Sequence, residues 1–277
     1  MSNSNEIQLT YHGRIAIITI NRPSKLNALN GDLYYELGEK MREVAERKDV
    51  YITILTGKGR YFSAGADVHS IRPTPDNDSN TDIRRQTARN FAINNLDITR
   101  TFYTHPKILI MALNGPAIGL SAALTAFGDF IYAAPHTFLL TPFSSLGLVA
   151  EGGASRALVE RLGISKANEA LIMSKRIAID ELVATGYVNK VMRPASGRQD
   201  DSEGFLKLVL EEVEERLGTH LNQESMVKMK SLIRMHEREV LDRQNVQEVY
   251  MGMGRLLAGI PQEEFRKVAS GEKKHKL

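Results

Sequence analysis

Glu151 ends a 21-residue stretch, Phe130 to Ala150, that contains no Asp, Glu, Lys or Arg, and Gly152 and Gly153 follow it at once. A carboxylate among apolar residues is costly to ionise, so its pKa is expected to rise. A raised carboxylate is a useful acid/base group near neutral pH. The other reading is a carboxylate that caps the helix beginning near Gly153 and stays partly in water. Two turns of small residues complete the set. Ser63-Ala64-Gly65-Ala66-Asp67 permits close backbone approach to a ligand, with the Ala66 N–H aimed at an oxygen; alternatively it is a simple capping turn in which Asp67 caps the next segment. Asn114-Gly115-Pro116-Ala117-Ile118-Gly119-Leu120 runs from a strand into a helix whose first N–H groups, that of Leu120 included, lack helical partners; alternatively it is ordinary strand-to-helix punctuation. Two backbone donors converging on a carbonyl oxygen would stabilise the charge of an enolate, and a carboxylate could remove the proton from the neighbouring carbon. That is enolate chemistry without metal or cofactor.

These segments need rigid elements behind them. Gln8–His12 and Arg14–Ile20 read as strands of a hairpin turning at His12-Gly13. Tyr34, Leu37, Met41 and Val44 recur at helical spacing within an amphipathic helix from Leu33 to Ala45. Tyr51–Leu55 reads as a short β-branched strand, Ile71–Thr81 as a mobile loop, Ile83–Phe102 as a helix, Ile108–Leu113 as a buried strand and Leu120–Phe127 as a helix. Repeated strand–helix alternation implies a largely parallel sheet covered by helices. After Ser202 the pattern becomes helical, with Phe205, Leu206, Val209, Leu210, Val213 and Leu217 on one face and two further helices at about Asn222–His236 and Glu239–Leu257. Pro194-Ala195-Ser196-Gly197 is the candidate linker, dividing a core of residues 1–200 from a helical region and basic tail of residues 201–277. Residues Gly271–Leu277 are expected to be disordered.

Composition removes several function classes. The chain has 277 residues, 42% hydrophobic and 25% charged, which is globular composition. It has no cysteine, so disulfide and thiolate chemistry are excluded. The seven histidines form no HExxH or clustered spacing, so no catalytic metal is expected. There is no GxGxxG, no complete phosphate-binding loop and no GxSxG elbow. A net charge of +3, scattered rather than striped, does not argue for nucleic acid but suits a small polyanionic ligand. No apolar run is long and clean enough for membrane insertion, and Met1–Asn5 is polar and unlike a secretory signal.

Asn21-Arg22-Pro23 with Leu26-Asn27-Ala28-Leu29, then Gly57 through Asp67, Asn114 through Leu120, and Gly147 through Gly153 together resemble the crotonase, or enoyl-CoA hydratase/isomerase, superfamily over about residues 6 to 260. The resemblance implies an α/β fold, a crotonase-like spiral of ββα units with a helical C-terminal trimerisation region. It implies an acyl-CoA thioester substrate, CoA being part of the substrate rather than a cofactor. Ala66 and Leu120 match the positions whose N–H groups hold the thioester oxygen. Ala64, Gly65, Ala66, Asp67 and Val68 match the CoA-binding turn, with Lys25 and Ala28 near the adenine and phosphate side. The two glutamates that activate water in the family's hydratases fall at Ala123 and Phe143, so both are missing, and a glutamate stands later, at Glu151. That arrangement is similar to the peroxisomal Δ3,Δ2-enoyl-CoA isomerases of fungi, most closely the yeast type, which share the Asn114–Ala123 sequence.

The resemblance thus implies that Glu151 shuttles a proton from C2 to C4 of a 3-enoyl-CoA, cis or trans, giving the 2-trans-enoyl-CoA of unsaturated fatty acid β-oxidation. Asn95 would orient Glu151 or a bound water; its plain reading is a helix-surface residue. The alternatives are a dienoyl-CoA isomerase and a non-catalytic acyl-CoA-binding protein. A homotrimer or dimer of trimers is expected. His275-Lys276-Leu277 approximates the Ser-Lys-Leu peroxisomal address, which would bring in the import receptor and a place in the peroxisomal matrix; read plainly, it is a basic tail.

Overall fold

The structure, a computed structural model, describes residues 5–67 and 80–273, with the side chains of residues 80–82 and 269 outside the description. Met1–Ser4, Val68, residues 71–79 of the expected loop and the tripeptide His275-Lys276-Leu277 lie outside the described residues. β1 (Ile7–His12) and β2 (Ile15–Ile20) form the hairpin expected from the sequence. α1 (Gly31–Glu46) follows, its first turn closed by the Asn30 side chain, which accepts from the Leu33 N–H at 2.9 Å. β3 (Ile52–Gly57), β4 (Ile108–Leu113), β6 (Phe130–Ala133) and β9 (Lys190–Val191) then add in parallel, giving the sheet order β1-β2-β3-β4-β6-β9. A second sheet joins β5 (Ala117–Ile118), β7 (Phe138–Leu140) and β8 (Ile177–Ala178) in the order β5-β7-β8.

Side chains alternate across each strand, and the large sheet uses both faces. Ala16, Ile18, Ile20, Leu109, Met111 and Leu113 point to one face, where α1, α3 (Asn94–Tyr103), α4 (Leu120–Thr125) and α5 (Ala154–Leu162) pack. Ile15, Ile17, Ile52, Ile54, Ile108 and Ile110 point to the other, where α8 (Ser202–Leu217) lays Phe205, Val209, Val213 and Leu217 against them. Between β7 and α8 the chain also forms α6 (Ile164–Leu171) and α7 (Ile179–Ala184). After α8 come α9 (Gln223–Arg234), α10 (Glu237–Leu257) and α11 (Ile260–Ala269).

Three features differ from the sequence reading. The helix expected at 83–102 begins earlier, as α2 (Asn80–Thr87), and passes through a π-helical stretch, Ala88–Ile93, before α3. Such a stretch shifts which side chains face inward, and it ends one residue before Asn94-Asn95. α11 lies beyond the last helix read from the sequence; proline is tolerated in a helix's first turn, where its missing N–H has no helical partner. Residues Gly271–Lys273 are held rather than loose: the Lys273 ammonium donates to the Ser145 carbonyl and to Glu264, each at 2.5 Å.

Candidate functional site

The turn at Ala64–Asp67 is fixed against Leu26–Leu29. Ala64 N–H donates to the Leu26 carbonyl (2.9 Å), Leu29 N–H to the Gly65 carbonyl (2.8 Å) and Asp67 N–H to the Leu29 carbonyl (2.9 Å). The groups flanking Ala66 are therefore engaged on one side, and the Ala66 N–H points off the other. Beside this turn runs the second one. Ser63 pairs in parallel with Ala117, and Ile118 N–H donates to the Ser63 carbonyl at 2.9 Å. Three residues beyond that register lie Ala66 on one strand of chain and Leu120 on the other. Leu120 opens α4, where a helix leaves its N–H groups unpaired. Neither the Ala66 nor the Leu120 N–H has a backbone acceptor among the described residues. Gly65 is required here: it sits at φ +83, and a Cβ would lie 2.7 Å from the Ile118 carbonyl oxygen.

A buried set of hydroxyls ties the two turns together. Ser63 Oγ lies 2.9 Å from Ser121 Oγ and accepts from the Gly65 N–H at 3.1 Å, and Ser121 Oγ lies 2.9 Å from the Tyr34 hydroxyl. Burial pushes the Tyr34 phenol above its usual range; the bond with Ser121 opposes this and the charge of Glu151 adds to it. Tyr34 is thus within electrostatic reach of Glu151.

Gly152 and Gly153 carry the chain to that position. Both have left-handed backbones, at φ +71 and +70. A Cβ on Gly152 would meet Leu120 Cδ1 at 2.7 Å and Ala123 Cβ at 3.0 Å, so Glu151 is anchored directly beside the start of α4. Glu151 is half-buried, and Asn95 Nδ2 donates to its Oε2 at 2.9 Å. Asn95 shares the inward face of α3 with Ile98, Thr99 and Phe102 and is itself buried, which rules out a plain surface position. Glu151 does not act as the cap of α5. That place is taken by Glu248 of α10, which accepts from the N–H groups of Gly153 (2.7 Å) and Ser155 (2.8 Å).

The fold and this geometry can be set beside known proteins. The model of the enoyl-CoA hydratase/isomerase family matches residues 10–250. The chain belongs to that family. The family's similar members include a Delta(3,5)-Delta(2,4)-dienoyl-CoA isomerase of Pyricularia oryzae, 59% identical over 96% of this chain and 97% of the relative. They also include the 3,2-trans-enoyl-CoA isomerase of Saccharomyces cerevisiae, 35% identical over 98% of this chain and 97% of the relative. In fold, the chain is similar to an enoyl-CoA hydratase/isomerase of Pseudoalteromonas atlantica, with a TM-score of 0.79 at 23% identity over 98% of this chain and 100% of that one. It is an enzyme of the enoyl-CoA isomerase type.

At the two places where the resemblance puts the glutamates of the family's hydratases, the enzyme buries apolar side chains. Ala123 is fully buried under Gly152, and Phe143 is buried in the main core. The remaining expected binding residues spread along the Leu26–Leu29 edge. Lys25 ends a short 3₁₀ turn and is exposed; the Ala28 carbonyl accepts from Arg22 at 2.6 Å. Arg22 also pairs with Asp67 at 3.0 Å, so Asp67 locks the Ala64–Asp67 turn to the Arg22-Pro23 turn. Val68 lies outside the described residues. Sequence reasoning missed Tyr34, Ser121, Asn27 and Glu248. Asn27 is fully buried with φ +58 and donates to the Lys58 (2.9 Å) and Tyr61 (2.7 Å) carbonyls, which fixes the loop leading into the first donor turn. Its signal was available: an asparagine in an apolar Leu-Asn-Ala-Leu run has to satisfy its amide. Among the described residues no group of three His, Asp or Glu side chains could hold a metal ion, and no helix is long and apolar enough to cross a membrane.

Proposed function

We propose that the enzyme transposes double bonds of acyl-CoA thioesters with Glu151 as the proton shuttle, and that its preferred substrate is a 3,5-dienoyl-CoA, converted to the 2,4-dienoyl-CoA. The observation that carries the shuttle is the position of Glu151: beside Leu120 through Gly152, held by Asn95, with Ala123 and Phe143 where water-activating carboxylates would stand. The thioester oxygen is held between the N–H groups of Ala66 and Leu120, each contributing about 3 kcal/mol in a dry site. Glu151 takes a proton from C2, the C3=C4 and C5=C6 bonds move to C2=C3 and C4=C5, and the proton returns to C6. The atoms balance without a cofactor. Ala64, Gly65 and Asp67 shape the CoA-binding turn, and Lys25 and Ala28 lie toward its adenine and phosphate end. Phe143 and its apolar surroundings keep water from the product.

The choice of a dienoyl substrate rests on the 59% identity to the Pyricularia oryzae enzyme across nearly the full length of both chains. The yeast 3,2-trans-enoyl-CoA isomerase supports a second reading, in which the same glutamate carries the proton from C2 to C4 of a 3-enoyl-CoA. Parallel assays of 3,5-dienoyl-CoA and 3-enoyl-CoA decide between them: kcat/KM higher for the diene is expected, and the reverse order would establish the second reading. Binding of either ester with no turnover would leave only an acyl-CoA-binding protein.

Self-association into trimers, or dimers of trimers, is supported by exposed Met229, Leu232 and Ile233 on α9 and Tyr250 and Met251 on α10. Light scattering on the purified protein tests it; a monomer at working concentration refutes it. A peroxisomal location through recognition of His275-Lys276-Leu277 by the import receptor is supported by a relative named as a peroxisomal enoyl-CoA delta isomerase in Mus musculus. A fluorescent fusion that leaves the tripeptide free and stays cytosolic would refute that.

A further inference from the structure

One face of α10 touches both elements that carry the Glu151–Asn95 pair. Asn245, Glu248, Gly252 and Arg255 follow one another at intervals of three, four and three residues and so share one helical stripe. Asn245 Nδ2 donates to the carbonyl of Leu96, the residue after Asn95, at 3.1 Å. Glu248 holds the N–H groups of Gly153 and Ser155 and also accepts from the Ser155 hydroxyl, which in turn accepts from Gln244 Nε2 at 2.7 Å. Gly252 brings the helix backbone against Phe91 of the π-helical stretch and Val149: a Cβ would lie 3.0 Å from the Phe91 ring and 3.8 Å from Val149 Cγ2. Arg255 Nε donates to the Gly147 carbonyl at 2.9 Å. The segment 147–155 is therefore gripped on both sides of Glu151, and α3 is gripped one residue from Asn95.

Glu248 is the unusual member of the stripe. It is 4% exposed, and no Lys or Arg pairs with it among the described residues. Burial raises its carboxyl pKa, and the bonds from Ser155 and Gly153 pull it back. A helix start is ordinarily capped by its own preceding residue. Here that residue is Gly153, which has no side chain and whose left-handed backbone is needed to turn the chain after Glu151. The cap has been moved to a helix 95 positions away in sequence, at the cost of burying a carboxyl group.

We propose that Glu248 is a positioning residue for the isomerisation, holding Glu151 at its working distance from the donor turns through Gly153 and Ser155. This rests on Glu151 being the base. The bonds of Glu248 go to Gly153 and Ser155, so its loss is expected to act on the chemical step rather than on binding. A misplacement of about 1 Å at the reacting group costs on the order of 100-fold in rate.

The test compares Glu248→Gln and Ser155→Ala with the unaltered full-length enzyme. The glutamine keeps the shape but presents an amide N–H₂ to one of the two backbone N–H groups. Expected for Glu248→Gln is kcat lower by about 10- to 100-fold, with KM and the Kd for a saturated acyl-CoA within about threefold. Ser155→Ala removes one hydroxyl donor and leaves the backbone intact; a smaller loss confined to kcat is expected, and it carries the test if Glu248→Gln does not fold. A lower melting temperature with unchanged kcat would overturn the proposal, as would equal losses in kcat and in ligand affinity. Glu151→Gln is measured alongside. If that variant keeps turnover, the base assignment fails; if it is inactive while Glu248→Gln and Ser155→Ala work normally, only the positioning role fails.

Discussion

The two faces of the six-stranded sheet are built from the same alternating strands and do different work. On the α8 face, Ile15, Ile17, Ile52, Ile54, Ile108 and Ile110 meet Phe205, Val209 and Val213 in an aliphatic and aromatic layer. On the other face the layer is interrupted. Tyr34, Asn95 and Ser121 are buried there among the core residues, and the segment carrying Glu151 closes over α4. An apolar layer tolerates small shifts, because its attraction has no direction. A layer with buried amides and hydroxyls does not, because each must find its partner. The first face supplies stability, and the second spends some of it on geometry.

If that division holds, substitutions on the two faces should separate activity from stability. Glu151→Gln should lower kcat by about 10³-fold or more while leaving the melting temperature nearly unchanged, since the amide can still accept from Asn95. Turnover assays paired with thermal melts check both halves. Phe205→Ala, on the α8 face, should do the opposite: about 3–5 kcal/mol of stability is lost from a residue 1% exposed, with kcat per folded molecule within twofold. Denaturant titration gives the first value and active-site-normalised assays the second. A large loss of kcat in Phe205→Ala would mean the faces are coupled through the strands.

The division also explains what could be read in advance. The hairpin, the β3 and β4 strands and the α8 stripe were legible because each is a local repeat of apolar residues at a period of two or near four. Glu151, Ala66 and Leu120 stand out in the sequence as candidates through the motif order of the resemblance. The contacts around them do not. The Ser63–Ser121–Tyr34 chain joins residues 87 positions apart at its widest, and Asn95 reaches Glu151 across 56. Glu248 is one of three glutamates of α10, and only the fold reveals that it faces Gly153 and Ser155. α11 was hidden by a Gly-Ile-Pro sequence that starts a helix as readily as it ends one.

A smaller effect tests whether the donor turns depend on backbone fit alone. Gly65→Ala places a methyl 2.7 Å from the Ile118 carbonyl oxygen at a φ of +83, so the two turns must move apart. About 1–3 kcal/mol of stability should be lost. The KM for acyl-CoA should rise and kcat fall together, because in the proposed function the same turn binds the ester and offers the Ala66 N–H. Steady-state kinetics check this. A variant with altered stability but normal kinetics would place the oxygen-binding donors elsewhere.

The smallest effect concerns a buried polar group that serves structure. His105 is 3% exposed, with Nε2 2.8 Å from the Thr53 hydroxyl. Burial holds its pKa well below the ordinary value, and the nearby charges of Lys230 and Lys107 push the same way. A histidine lowered in the folded state takes up its proton first in the unfolded chain. Its contribution is therefore complete above the unfolded value near pH 6.5 and is lost as the pH falls below it, by up to about 1.4 kcal/mol per pH unit. Replacing it, as in His105→Gln, removes that dependence whatever it does to stability at neutral pH. Urea titrations at pH 7.5, 6.5 and 5.5 should give a shallower decline for the variant than for the parent. Parallel slopes would mean that His105 takes up its proton as readily in the folded protein as in the unfolded chain, so that its burial does not hold the pKa down.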